Sequence, residues 1–172
     1  SYAAPLPVER HPEDLSRVIV EAHELAVKNL IELGCDPAAV TFSLTGADGL
    51  RVRIARHLVV LAVANLLKNA YEVFMTGGAR LDKGTITVTV AADAGEVRIV
   101  ICDTGKGMVA EDLTELRALV PVRRNKAKIR STGFGLPIAN RYVAAHGGTL
   151  AIDSNRDRGT VVTITLPRGQ DE

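Results

Sequence analysis

The chain has 172 residues, long enough for one domain to bury a core without disulfide or metal support. Its net charge of +1 gives no global attraction to nucleic acid or to an anionic membrane. Hydrophobic content of 47% with 3% aromatic and no Trp predicts a core of Val, Ile, Leu and Ala, and Cys35 and Cys102, without paired Cys/His spacing, exclude a disulfide scaffold and a zinc site and read as buried thiols of a reducing compartment.

Residues 1–10 read as a linker from an upstream region, residues 11–167 as the domain and residues 168–172 as a frayed tail. Pro12-Glu13-Asp14 puts a proline and acids at a helix start. Leu15, Val18, Ile19, Ala22, Leu25, Ala26, Leu30 and Leu33 keep helical spacing up to a stop at Gly34. Val40 to Thr45 and Leu50 to Ile54 flank Gly46-Ala47-Asp48-Gly49, which predicts a hairpin. A second helix is predicted from about Ala55 to Met75, before Gly77-Gly78. Strands follow at Thr85 to Val90 and Glu96 to Ile101, joined by Asp93-Ala94-Gly95.

From Lys106 to Arg130 the periodicity fails, apart from a short helix around Asp112 to Leu119. A third helix is predicted over Phe134 to Ala145, ended by Gly147-Gly148, and the last strands over Thr149 to Asp153 and Thr160 to Leu166. Helices this few and strands arriving as antiparallel neighbours predict a two-layer α/β sandwich of α+β type. Its helices lie on one face of a mixed, mostly antiparallel sheet. A parallel doubly wound sheet would need strands and helices to alternate singly. The longest apolar run, Leu58 to Leu67, is interrupted by Asn65 and too short to span a bilayer. With no signal peptide, the expectation is a cytoplasmic domain without direct membrane contact, compatible with a membrane-bound parent.

Three segments carry chemistry. Asn65 and Asn69 lie four apart and share one face of the second helix, amid Leu61, Ala62, Val63 and Leu66. An amide inside an apolar helix is costly unless satisfied. Either both bond to neighbouring backbone, or the Asn69 carbonyl oxygen coordinates Mg²⁺, a hard cation that favours oxygen ligands, with Asn65 orienting water or phosphate beside it. Asp103 ends a strand before Gly105, Gly107 and Met108. A carboxylate there can accept from the exocyclic amine of adenine, and glycines let backbone approach the base. The plainer reading is a strand-to-loop turn.

Ser131-Thr132-Gly133-Phe134-Gly135-Leu136 opens a helix, where backbone N–H groups favour phosphate; Thr132 as an ordinary cap is the alternative. Arg123 to Arg130 holds five cations and no acid, readable as a lid over phosphates or as a solvated loop. No aromatic residues interleave there to stack bases, which argues against nucleic acid. A Walker A signature is absent.

In this order the segments resemble the boxes of the GHKL superfamily, which unites gyrase, the Hsp90 chaperones, histidine kinases and MutL. Asn65-Leu-Leu-Lys-Asn69-Ala-Tyr-Glu72 resembles the N box, Asp103-Thr-Gly-Lys-Gly107 the first glycine box and Ser131-Thr-Gly-Phe-Gly135-Leu the second. Tyr142-Val-Ala-Ala-His146-Gly-Gly-Thr-Leu, Asp153-Ser154, Gly159-Thr160 and Leu166-Pro167 are most similar to the catalytic domain of sensor histidine kinases. The resemblance implies a Bergerat-type sandwich binding Mg·ATP under a lid at about 106–130. Asn69 matches the metal-binding asparagine, Asp103 the adenine-binding acid and Thr160 a threonine near adenine. Gly105 and Gly107 line the base, and Gly133, Gly135 and Leu136 flank the phosphates.

The departures matter as much. ATP-hydrolysing relatives place a glutamate four residues before the metal asparagine, where this chain has Asn65, and an amide cannot act as general base at neutral pH. Slow hydrolysis is the expectation, as suits a kinase. Glu72 stands where many histidine kinases carry Lys or Arg, Ser131 replaces the usual first glycine, and Leu119-Val-Pro-Val-Arg123 replaces an aromatic-rich lid box. His23-Glu24 begins like a phosphoacceptor motif, but Ala26-Val27-Lys28 breaks it, and His23 reads as an ordinary surface residue. His146 reads as structural.

The function implied is a two-component histidine kinase catalytic domain. It would donate the γ-phosphate to a histidine on a separate dimerisation domain, with a response regulator downstream and no autophosphorylation on its own. The alternatives are a serine kinase of the dehydrogenase-kinase or anti-sigma type, echoed by Gly133-Phe-Gly-Leu-Pro137 and Arg141-Tyr142, and a non-catalytic nucleotide sensor.

Overall fold

A computed structural model of the chain describes residues 8–75, 81–105, 111, 114, 135–155 and 159–169. Its elements in chain order are β1 (His11–Asp14), α1 (Leu15–Glu32), β2 (Val40–Thr45), β3 (Arg51–Ile54), α2 (Arg56–Glu72), β4 (Gly84–Ala92), β5 (Glu96–Asp103), α3 (Gly135–Ala145), β6 (Thr149–Asn155) and β7 (Gly159–Pro167). Five strands form one sheet in the order β2-β4-β5-β7-β6, with β2 parallel to β4 and every other pair antiparallel. Helices α1, α2 and α3 pack on it, which is the mixed two-layer sandwich that the element order predicts. Among the described residues no helix is long and apolar enough to cross a membrane.

The first segment differs from expectation. Pro12 and Glu13 lie in a short strand rather than in a helix, and only Asp14 serves the helix. Its extended backbone ends β1 while its carboxylate accepts from the N–H groups of Ser16 (3.0 Å) and Arg17 (3.4 Å). This satisfies two donors that a first helical turn leaves open. At the other end Gly34 adopts φ +87 and Cys35 N–H returns to the Leu30 carbonyl at 2.9 Å, the stop predicted for it.

The predicted hairpin of β2 with β3 does not form. β2 instead pairs parallel with β4, Val40 opposite Gly84, while β3 pairs antiparallel with β1 in a separate two-stranded sheet, Ile54 opposite His11. Gly46 and Gly49 do turn the chain, at φ +91 and +71. Between them, however, Ala47 is buried at 1% exposure, so the turn is pulled into the core and delivers β3 to the other sheet. The hairpins predicted for β4–β5 and β6–β7 both form. Helix α2 ends at Glu72, three residues before the predicted Met75, and Phe74 then accepts from Asp82 N–H at 2.8 Å as the chain turns. The short helix predicted for 112–119 falls outside the described residues apart from Thr114.

Core composition follows the sequence. Val97, Ile99 and Ile101 on β5 alternate inward, as do Ile86, Val88 and Val90 on β4 and Ile164 and Leu166 on β7. Against them lie Val59, Val60, Val63, Leu66 and Leu67 of α2. The cysteines are half-buried rather than fully buried. His23 is likewise no ordinary surface residue. Its ring stacks on Phe42 with centroids 3.7 Å apart, and Nε2 shares a 2.7 Å hydrogen bond with the Tyr71 hydroxyl, tying α1 to β2 and α2. His146 is buried and structural, as expected. Its Nδ1–H donates to the Tyr142 carbonyl (2.8 Å) and Nε2 accepts from Ala55 N–H (3.0 Å) at the start of α2, which fixes one neutral tautomer. Beyond Pro167, Arg168 is held by the Gly95 carbonyl at 2.9 Å.

Candidate functional site

The apolar inward rows of β5, β6 and β7 each end in a polar side chain at the same edge of the sheet. On β5 the row Val97, Ile99, Ile101 is continued by Asp103; on β6 Leu150, Ile152 by Ser154; on β7 Leu166, Ile164, Val162 by Thr160. Register brings them together, since Thr160 is opposite Asp103 on one side and Ser154 on the other. All three are buried, at 7–8% exposure. A strand's period of two thus carries an acid into what would otherwise be core.

A slot opens there between sheet and helices. Its walls are Leu66, Ala70 and Val73 of the α2 segment, Leu136 of α3, and Ile101, Ile152 and Val162 of the sheet. Asn69, Asp103 and Thr160 supply its polar groups. A mostly apolar cleft with a few convergent polar groups is the form of a small-molecule site. The apolar walls suit a flat base, and the polar groups can fix its orientation.

Asp103 is held in a defined state. Its Oδ1 accepts from Gly105 N–H at 2.9 Å. Burial pushes its carboxyl above the usual aspartate range, while hydrogen bonds from the Gly105 and Thr160 backbone draw it back. Two glycines make this packing feasible. A Cβ at Gly105 would come within 2.5 Å of Val73 Cγ2 on the slot wall, and one at Gly159, where φ is +98, within 1.9 Å of the Asp103 carbonyl oxygen. Ser154 completes the arrangement, its hydroxyl donating to the Gly159 carbonyl (3.1 Å) and lying 2.8 Å from Thr160 Oγ1.

Asn69 faces the slot with its Nδ2 buried and without a hydrogen-bond partner among the described residues. Such an orphaned group is uncommon in a folded core and marks a place that a ligand completes. The two ends of an amide exchange by a flip, so either Nδ2 or the carbonyl oxygen can be presented. An oxygen donor at this position fits the ligand preference of Mg²⁺. Asn65, one turn earlier on α2, is half-buried and does not line the slot. Glu72 Oε1 is also buried without a partner among the described residues, and burial raises its carboxyl, opposed by the Lys68 charge.

Of the residues singled out from sequence, Asn69, Asp103, Leu136 and Thr160 meet in one slot, with Gly105 directly behind Asp103. Gly107, Met108, Ser131, Thr132, Gly133 and Phe134 lie outside the described residues, as does nearly all of the lid segment. Gly135 is the first residue of α3. Sequence reasoning missed the apolar walls Ala70, Val73, Ile101, Ile152 and Val162, and it missed the Ser154–Thr160 hydroxyl pair. The pair was detectable in principle, because pairing of the two predicted strands sets these two hydroxyls opposite each other.

A family model described as histidine kinase-, DNA gyrase B- and HSP90-like ATPase matches residues 54–170. The chain belongs to that ATPase family. Within it, the similar curated proteins include histidine kinases. Histidine protein kinase DivJ of Caulobacter vibrioides is 31% identical over 164 residues, covering 93% of this chain and 26% of DivJ. Sporulation kinase C of Bacillus subtilis is 31% identical over 124 residues, 72% of this chain and 27% of that kinase. The chain therefore spans about a quarter of the length of these relatives.

Solved structures agree on the fold. The mycobacterial sensor histidine kinase MprB superposes with a TM-score of 0.68 at 24% identity, over 92% of this chain and 97% of that one. Histidine kinase ThkA, solved in complex with response regulator TrrA, gives 0.69 at 21% identity, over 94% of this chain and 42% of that one. In this chain the slot lined by Asn69, Asp103 and Thr160 is where the polar ends of the strand rows meet the orphaned amide.

Proposed function

We propose that this chain is the catalytic ATP-binding domain of a two-component sensor histidine kinase, spanning residues 11–167 after a linker at 1–10. The carrying observation is the convergence of Asp103, Thr160 and the unpartnered Asn69 amide on one apolar slot. Adenine enters between Ile101, Ile152 and Val162 on one side and Ala70 and Val73 on the other. The Asp103 carboxylate accepts from the exocyclic amine, and Thr160 stands beside it. Gly105, Gly107 and Met108 follow the base along the chain, while Ser131 to Leu136 lead into α3 on the phosphate side.

Asn69 is the residue that would hold a bound Mg²⁺, which would supply charge neutralisation for the phosphates. Asn65 positions groups near the phosphates but takes no proton, because an amide has no basic site at neutral pH. Without a general base, water is not activated and ATP is kept for another acceptor. That acceptor is a histidine on a separate dimerisation domain, with a response regulator downstream, and the setting is cytoplasmic. The support is threefold: Asn65 in the glutamate position, the histidine kinases among the relatives, and the short span of their length that the chain covers.

The test is phosphotransfer from γ-labelled ATP with Mg²⁺, to the chain alone and to the parent protein carrying its preceding segment. The expected result is no label on the isolated chain and acid-labile, base-stable label on the parent. Acid-stable label, or label on His23, would sink the proposal.

A further inference from the structure

Far from the slot, Arg51, Arg53 and Arg168 line a depression of about 470 Å³, whose wall also includes Pro12, Gly49, Val52 and Gly169. Strand β3 creates half of it. Val52 and Ile54 turn into the core at 1% and 0% exposure, so Arg51 and Arg53, two residues apart, share the opposite face. Arg168 arrives just beyond β7, where Arg53 N–H donates to its carbonyl at 3.4 Å. Along the chain Arg168 stands eight residues from Thr160. At strand rise that is about 25 Å, so the depression is distinct from the slot.

What fixes these guanidinium groups is unusual. Each is oriented by a main-chain carbonyl: Arg51 Nη2 by Pro12 (3.3 Å), Arg53 Nη2 by Arg10 (3.3 Å) and Arg168 Nη1 by Asp93 (3.0 Å). A carbonyl orients the planar fork without neutralising it and uses only one of its N–H donors. Among the described residues no carboxylate lies within 4.0 Å of any of the three; the pairs present are Arg56 with Glu13 and Glu21, Arg98 with Glu96, and Glu9 with His11. The neighbouring acids are engaged. Glu13 holds Arg56, and Asp93 Oδ1 accepts from the N–H groups of Glu96 (2.9 Å) and Gly95 (2.8 Å), bonds that hold its carboxyl below the usual aspartate range with smaller help from the Arg98 and Arg168 charges.

We infer that this depression is a second anion site, which takes a small ligand of the diphosphate class. Guanidinium forks pair with phosphate oxygens two at a time, three arginines line this depression, and its space exceeds what a single tetrahedral anion fills. The ligand bridges Arg51 and Arg53 on β3 to Arg168, neutralising charges that no described carboxylate within 4.0 Å pairs. Because the site draws on none of the slot residues, it stands whether or not the slot binds ATP.

The test is an NMR titration of the chain in EDTA with inorganic pyrophosphate, following the arginine side-chain Nε–H resonances. Saturable shifts of the Arg51, Arg53 and Arg168 signals are expected. Affinity should fall at least tenfold in the Arg51→Gln/Arg168→Gln double variant and stay unchanged in Asn69→Ala. The guanidinium shifts are read on the unaltered chain and so do not depend on how the variants fold. A parallel titration with ADP assigns the source: arginine shifts with both probes indicate a nucleotide's diphosphate, and shifts with pyrophosphate alone indicate a free oligophosphate. No shift of these three signals, shifts that never saturate, or unchanged affinity in the double variant would overturn the inference.

Discussion

Asp103 carries a conflict between folding and binding. Its carboxyl is raised by burial, so in the absence of ligand its ionised form at neutral pH is a net cost to the fold. That same ionised form is the acceptor adenine needs. Asp103→Asn keeps the shape and an acceptor for Gly105 N–H but removes the charge. Melting temperature should hold or rise, while ATP affinity falls about tenfold, the order of one charge-assisted hydrogen bond. Thermal melts and titration on the same preparation check both, and a destabilised variant with unchanged affinity would contradict this account. Asn65 is argued in the opposite sense, as a residue that withholds chemistry. Asn65→Glu supplies the missing base, and ATP hydrolysis should rise by about tenfold or more, a fraction of the roughly 10²–10⁴-fold that a well-placed general base contributes. Unchanged phosphate release from a variant that still binds ATP would show that this position does not limit hydrolysis.

At the level of elements, two histidines link stability to pH. Burial lowers the pKa of both His23 and His146, the latter opposed by its bond to the Tyr142 carbonyl. A ring held neutral in the fold contributes fully above the unfolded value of about 6.5, and that contribution is lost as pH falls through the lowered native value. The urea midpoint should therefore drop between pH 7.5 and pH 5.5. Buried Asp103 and Glu72, raised by burial, act in the other direction at more acid pH. A variant separates the contributions: His23→Phe keeps a ring against Phe42 but cannot titrate, so its midpoint should drop less. Equal drops in both proteins would remove His23 from the explanation. Element pattern was largely legible in the sequence, because strand alternation and helix spacing are set by local residues. Pairing was not. The glycines at 46 and 49 announced a turn, but whether β3 returned to β2 depended on burying Ala47 and on β1, which Pro12 had disguised as a helix start.

The whole molecule divides its sheet into an apolar majority and one polar edge, and the division locates the site. Reading Asp103 and Asn69 from the sequence required only a strand end and a helix face. Recognising that they face each other required the β4–β5–β7 register and the packing of α2 across it. The hydrophobic walls were illegible for the same reason, since Val73 or Ile152 differs from any core residue only by where the partner surface stops. On this reading the polar edge holds the adenine of Mg·ATP, with Asn69 on the metal. The decisive measurement is calorimetric titration with ATP, with and without Mg²⁺, of the unaltered chain and of Asp103→Ala and Asn69→Ala. Binding of roughly micromolar strength, about −8 kcal/mol, is predicted for the unaltered chain, lost in Asp103→Ala and insensitive to Mg²⁺ in Asn69→Ala. No binding by folded protein, or the same affinity after Asp103→Ala, would contradict it.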